Sequence, residues 1–158
     1  MRFPTAATLV LFALAGCSSS QPATFSVVSA SVDPTYYCPG GANNAAYDLR
    51  ATVDVRNGTS KVVTIDGATA EMTLASVKGS WLEKVGDRYN ADGVKVTPAS
   101  VAAGGHSTLT VTIPSACTSG KYGTGTSSSA DYNVTVHLST SAGKFAVTAA
   151  NQHEIVAD

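Results

Sequence analysis

Between Tyr47 and Val55, apolar residues fall on every second position. Tyr47, Leu49, Ala51, Val53 and Val55 alternate with Asp48, Arg50, Thr52 and Asp54. A period of two sends successive side chains to opposite faces of a strand, so this stretch has one buried and one wet face. The alternation returns in His106–Ile113, with Leu109, Val111 and Ile113 inward, and again through Tyr132, Val134, Val136 and Leu138. Half-buried antiparallel strands need a cover for their dry face. The chain is rich in Thr, Ser, Val, Ala and Gly, a mixture that suits strands and turns.

Taken in order, Phe25–Val32 reads as a first strand ended by Asp33-Pro34, and Tyr36, Tyr37 and Cys38 lead into the turn Pro39–Asn44. Asn57-Gly58 is expected to supply the positive φ of a tight hairpin that returns through Val63 and Ile65. The apolar phase then moves to Ala68, Ala70, Met72 and Leu74, crossing from odd to even positions at Asp66-Gly67. One extra residue in a continuing strand is a β-bulge, so Lys61–Ser76 is read as one bent strand. Within residues 77–92, Trp81, Leu82, Val85 and Tyr89 would share one face of a short helix, with Gly79 and Gly86 weighing against it. Residues 93–97 form a short strand, Gly104-Gly105 a turn, and Pro114 is expected to stop the 106–113 strand. Residues 118–130 make the longest polar loop. Phe145, Val147 and Ala149 mark a last strand, extended by Ile155-Val156. The result is about seven strands with turns at sandwich-like spacing.

The three cysteines are Cys17, Cys38 and Cys117. Cys38 and Cys117 read as a disulfide if the chain is exported and as two free thiols if it is not. Bridged, they close a loop of about 80 residues, worth roughly 4–5 kcal/mol by the chain-entropy account. If successive strands simply reverse and residues 61–76 count once, both cysteines fall at the same end of the sandwich.

Export is legible at the N-terminus. Arg2 precedes an apolar run from Ala6 to Ala15, and the composition turns polar at Ser18-Ser19-Ser20-Gln21-Pro22. A basic head, an apolar middle and small residues at a cut site make a secretory signal peptide. The apolar run is too short for a bilayer span, which needs about 20 residues. Leu14-Ala15-Gly16-Cys17 resembles the lipobox of bacterial lipoproteins, in which a cysteine behind an aliphatic and two small residues is lipidated and becomes the new N-terminus. The competing readings are an ordinary cleaved signal with Cys17 incidental and an uncut anchor. The resemblance implies a signal peptide over residues 1–16, a lipidated Cys17 with a tether to residue 24, and a domain over 25–158. It implies attachment to a cell membrane or outer membrane on the extracytoplasmic side, with the membrane as a partner through the lipid.

Catalytic patterns are thin. No Gly-x-Ser-x-Gly elbow is present, and His106, His137 and His153 are scattered. Gly120–Thr126 lacks the Gly-Lys-Ser/Thr ending of a phosphate loop. Charged residues are 13 % of the 158, with a formal net charge of −1, which leaves no basic stripe for nucleic acid. No catalytic residue, cofactor or metal is expected. Trp81 is read either as a core plug or, with Tyr89 and Tyr122, as an aromatic contact patch.

The strand ending in Val53-Asp54-Val55-Arg56-Asn57-Gly58 and the later Gly104-Gly105-His106-Ser107-Thr108-Leu109-Thr110-Val111-Thr112-Ile113 strand resemble bacterial immunoglobulin-like domains. The fold expected is an all-β, antiparallel Ig-like sandwich with one disulfide. The chain lacks a strand tryptophan between two core cysteines, so that disulfide is expected at the end of the sandwich and not between its sheets. The function expected is a non-enzymatic module binding an envelope protein or glycan. The alternative is a protease inhibitor acting through the 118–130 loop.

Overall fold

The computed structural model describes residues 24–119 and 128–157. Cys17, the tether before Thr24 and Tyr122 lie outside the described residues. Among those described there are eleven strands: β1 (Phe25–Val32), β2 (Thr35–Cys38), β3 (Ala45–Asn57), β4 (Val63–Lys78), β5 (Arg88–Ala91), β6 (Lys95–Thr97), β7 (Ser100–Val101), β8 (His106–Cys117), β9 (Ser128–Thr140), β10 (Gly143–Thr148) and β11 (His153–Ala157).

One sheet runs β1-β3-β8-β6. The other runs β2-β11-β9-β4-β5, with β10 on the same edge of β9 as β11 and β7 on the start of β4. Setting aside the short β2, β5 and β7, the first sheet holds the first, second, fifth and fourth principal strands. The second holds the third, the sixth and the C-terminal pair. That is the partition of an immunoglobulin-like sandwich. Eight principal strands remain, one more than the seven expected because residues 153–157 form a strand of their own, and the other three are short edge pieces.

Register places the alternating residues face to face. Leu49 pairs with Ile113, Ala51 with Val111 and Val53 with Leu109 across β3 and β8. Ala70 pairs with Val136, Met72 with Val134 and Leu74 with Tyr132 across β4 and β9. These side chains point into one shared layer, and burying each Leu, Ile, Val or Met contributes about 1.5–3 kcal/mol. β4 is a single strand whose register slips between Ile65 and Gly67, as the phase shift predicts, and again between Leu74 and Ser76. A Cβ at Gly67 would meet nothing within 4 Å, so the bulge does not itself demand glycine.

Several expectations are corrected. β8 runs through Pro114 to Cys117, because β6 pairs only with residues 110–112 of β8 and the proline, which has no N–H, sits where that edge is open. Residues 153–157 are not an extension of β10. They form β11, which pairs antiparallel with β9 and parallel with β2. Residues 79–87 contain no helix, and Gly79 and Gly86 there take φ of 77° and 97°. Residues 128–130 belong to β9, and Ser119 is held by Ala42 and Pro39, so the connection is shorter than the 118–130 loop expected.

Asn57-Gly58 makes no hairpin, because β3 and β4 lie in different sheets. Asn57 is instead fully buried at the crossing. Its Nδ2 donates to the carbonyls of Lys61, Val101 and Ala102 at 2.8, 3.0 and 3.1 Å. Its Oδ1 accepts from the N–H and hydroxyl of Thr59. The side chain thus serves the carbonyls of Lys61 and Ala102, which lie outside the strands, together with that of Val101 at the end of β7.

The opposite end is closed by the Cys38–Cys117 disulfide, with the Cα atoms 5.9 Å apart. The end placement agrees with the strand parity. Cys38 ends β2 and Cys117 ends β8, however, so the bond does join the two sheets, contrary to expectation. Nearby, Tyr36 stacks on Tyr47 with ring centroids 3.8 Å apart, and Tyr47 Oη lies 3.0 Å from Nε2 of the buried His153. His153 Nδ1 is 2.7 Å from the Asp33 carbonyl, which only accepts, so Nδ1 carries the proton and Nε2 accepts from the tyrosine. Burial pushes the Tyr47 hydroxyl up to about 12 and holds His153 below its ordinary value, against the pull of the Asp33 carbonyl.

Two outcomes follow from these buried polar groups. Asn57→Ala and Asn57→Asp should each lower the unfolding free energy by about 2–4 kcal/mol, read from urea midpoints, because neither side chain can donate to three carbonyls. The unfolded chain protonates His153 more readily than the native state does, so the stability from this site is complete above about pH 6.5 and declines below it. Urea midpoints taken from about pH 7.5 to about pH 5 should fall, and His153→Gln should flatten that part of the profile.

Candidate interaction site

The β4–β5 connection builds the most feature-rich surface. Leu74 N–H donates to the Asp87 carbonyl and Gly86 N–H to the Leu74 carbonyl, which returns the chain to β5. Asp87 Oδ2 accepts from the Lys84 N–H at 2.8 Å and fixes the turn. The positive φ at Gly86 lets the chain reverse there, a conformation costly for a side chain with a Cβ.

This path splits the four apolar residues that a helix would align. Trp81 turns inward, is half-buried against the core, and donates from Nε1 to Tyr132 Oη at 3.0 Å. Leu82 and Val85 turn outward and are 58 % and 64 % exposed. Tyr89, on β5, is half-exposed and donates from its hydroxyl to the Pro114 carbonyl at 3.3 Å. The core-plug reading of Trp81 therefore fits, and Tyr89 remains at the surface.

Below Tyr89, β5 and β8 stand apart and leave a crevice of about 260 Å³. Its floor is Met72, Tyr132 and Ile155, and its rim includes Glu83, Asp87 and Arg88. Arg88 is 3.4 Å from Glu71, an exposed pair of small energetic weight. Ser115 Oγ points to the Met72 sulfur at 3.8 Å. The arrangement is an apolar slot with a mixed-charge lip beside exposed aliphatic residues, suited to holding a side chain of a partner.

A second concavity, about 820 Å³ and open, lies on the outer face of β4, β9 and β10. Gly67, Thr69, His137, Ser139, Lys144 and Asp92 line it. Among the described residues, no group of three or more His, Cys, Asp or Glu converges as a metal site. His106 and His137 are exposed on separate sheets. Asp54 accepts from the Thr108 and Ser29 hydroxyls at 2.7 and 2.8 Å, and these hold its carboxyl below the usual range. The Trp81–Tyr132 bond and the Tyr47–His153 cluster had no signal in the sequence beyond residue type, because each joins residues far apart in the chain.

No protein-family model matches the chain, and no curated protein matches it. Among solved structures it is similar to the ASH/PapD-like domain 7 of human CEP192, at 10 % identity and a TM-score of 0.31, covering 98 % of both chains. It is similar also to AggA, the major subunit of aggregative adherence fimbriae type I from Escherichia coli, at 10 % identity and a TM-score of 0.34, covering 85 % of this chain and 95 % of that one. The CooA pilin subunit from enterotoxigenic Escherichia coli gives 12 % identity and a TM-score of 0.32, covering 83 % and 99 %. These scores are too low to carry a function across.

The inward and outward residues of the connection should separate on mutation. Trp81→Ala should cost about 2–3 kcal/mol in urea unfolding, less than for a fully buried tryptophan, while Leu82→Ala and Val85→Ala should stay within about 0.5 kcal/mol.

Proposed function

We propose that this chain is an extracytoplasmic interaction module of a bacterial cell envelope, held to a membrane by lipid on Cys17. In this reading it is not an enzyme, and it engages an envelope protein or glycan through the β4–β5 connection. The observation that carries the reading is the pairing of a lipobox, Leu14-Ala15-Gly16-Cys17, with a disulfide-closed Ig-like sandwich. Disulfides persist in oxidising compartments, which is where a lipobox would deliver the domain. Two or more acyl chains on one cysteine anchor firmly, whereas one chain gives marginal binding. The exposed Leu82 and Val85 beside the crevice supply the contact surface, because apolar groups beside a pocket with a polar rim are what protein interfaces bury.

Intact mass of the native protein tests the anchor. The expected species begins at Cys17, carries acyl chains, and exposes Cys38 and Cys117 to alkylation only after reduction. An unacylated species beginning at Met1 would overturn it. A photo-crosslinker at position 82 should capture a discrete envelope partner that a crosslinker at position 62 does not, and Val85→Asp should abolish the capture.

A further inference from the structure

The domain has two chemically different ends, and the chain enters at one of them. The Thr24 carbonyl accepts from the Gly58 N–H at 2.9 Å, so the N-terminal segment arrives beside the Asn57 crossing. The same end is built by residues 58–62, by residues 102–105, and by the β9–β10 turn. Gly104 N–H donates to the Thr59 carbonyl, and Ser141 N–H donates to the Thr64 carbonyl. The disulfide lies at the opposite end. β9, with 13 residues, separates the two by about 40 Å at some 3.3 Å per residue.

Arg56, Lys61 and Lys144 all lie within a few residues of this end and are exposed. Among the described residues none of the three makes an ion pair within 4.0 Å. Asp54, two residues before Arg56 on the same face, and Asp66 are the acids beside them; Thr108 and Ser29 donate to Asp54, and Thr64 donates to Asp66. Val62, 58 % exposed, stands next to Lys61. The far half carries Asp48, Glu83, Asp87, Asp131 and Glu154 against Lys78, Lys84 and Arg88, where Lys78 pairs with Glu154 and Arg88 with Glu71. The near-zero net charge therefore hides an uneven distribution, with three cations against Asp54 and Asp66 where the chain enters and more acids than cations in the far half.

We infer that the end bearing Arg56, Lys61, Val62 and Lys144 rests on the anionic phospholipid surface and directs the Leu82–Val85 surface and the disulfide away from it. This rests on the lipid-anchor reading above. Cys17 is seven residues before Thr24, and seven residues reach at most about 25 Å when fully extended. That tether confines the basic end to the neighbourhood of the headgroups, where the surface field acts within a Debye length of about 8 Å. Each basic residue at the surface favours contact by about fivefold, so the surplus of one cation over Asp54 and Asp66 favours this end by about fivefold, while the acid-rich far half is repelled.

The test uses the mature lipoprotein in vesicles that contain phosphatidylglycerol. A donor fluorophore is placed by Val62→Cys or by Leu82→Cys, two equally exposed positions, and energy transfer to a headgroup acceptor is read. Transfer from position 62 should exceed transfer from position 82. The difference should collapse in phosphatidylcholine vesicles, at high salt, and in the triple variant Arg56→Gln, Lys61→Gln, Lys144→Gln. Equal transfer from both positions, or a difference indifferent to lipid charge and to the variant, would overturn the orientation even when the mass confirms acylation. If the mass shows no acyl chains, the anchor reading fails separately. Co-sedimentation of the same protein with the same vesicles then decides the surface: the triple variant should bind about a hundredfold more weakly, and unchanged binding would overturn it.

Discussion

Leu49, Val53, Leu109 and Ile113 from one sheet meet Met72, Leu74, Val134 and Leu138 from the other in a single dry layer, each of them at most 2 % exposed. That layer is what two-faced strands require, and the rest of the structure serves to close it. Along the strands closure is automatic, because backbone groups pair with neighbouring strands. At the two ends the chain must leave one sheet and join the other, and its backbone groups there have no ladder. One end is closed by a neutral amide, Asn57, satisfying three carbonyls. The other is closed by a covalent bond between β2 and β8, next to the Tyr36–Tyr47–His153 column.

The edges receive the same treatment. Val32, at the end of β1, gives its N–H to Asn151 Oδ1 at 3.0 Å, and its carbonyl accepts from Asn151 Nδ2 at 2.9 Å. One side chain thereby stands in for a missing strand at a place where another chain would otherwise pair. β5, β6 and β7 are two to four residues long, too short to template a long partner. With its edges blunted, the sandwich has its loops and outer faces left for contact, and the β4–β5 connection is the part that exposes aliphatic side chains beside a crevice. In the proposed reading, a basic end facing the membrane and an apolar crevice facing away from it would divide the two tasks of the module between opposite ends of one sandwich.

How much of this could be read beforehand differs by kind of residue. The strands with clean alternation, β3, β8 and β9, were legible because period two has one structural meaning. The bulge in β4 was legible because a change of phase at Asp66-Gly67 leaves few alternatives. The segment 79–87 was not, since apolar residues spaced for a helix also suit a glycine-bent turn that sends Trp81 in and Leu82 and Val85 out. β2 was missed because four residues carry no period, and their strand character comes from the parallel partner β11. Of the candidate contact residues, Tyr89 sits on the surface beside the crevice and Trp81 beneath it, bonded to Tyr132. Tyr122 and Cys17 lie outside the described residues.

The sequence by itself determined the all-β class, the inward set of the long strands, and the placing of Cys38 and Cys117 at one end. Each of these follows from local periodicity or from the parity of strand reversals. Only the tertiary structure decided that Asn57 is a buried linchpin and not a hairpin residue, and that the disulfide crosses the sheets. It also decided how the charges of a nearly neutral chain divide between its two ends. Those properties depend on which strands become neighbours, and hydrogen bonding and charge proximity between residues 40 to 120 positions apart leave no periodic trace along the chain.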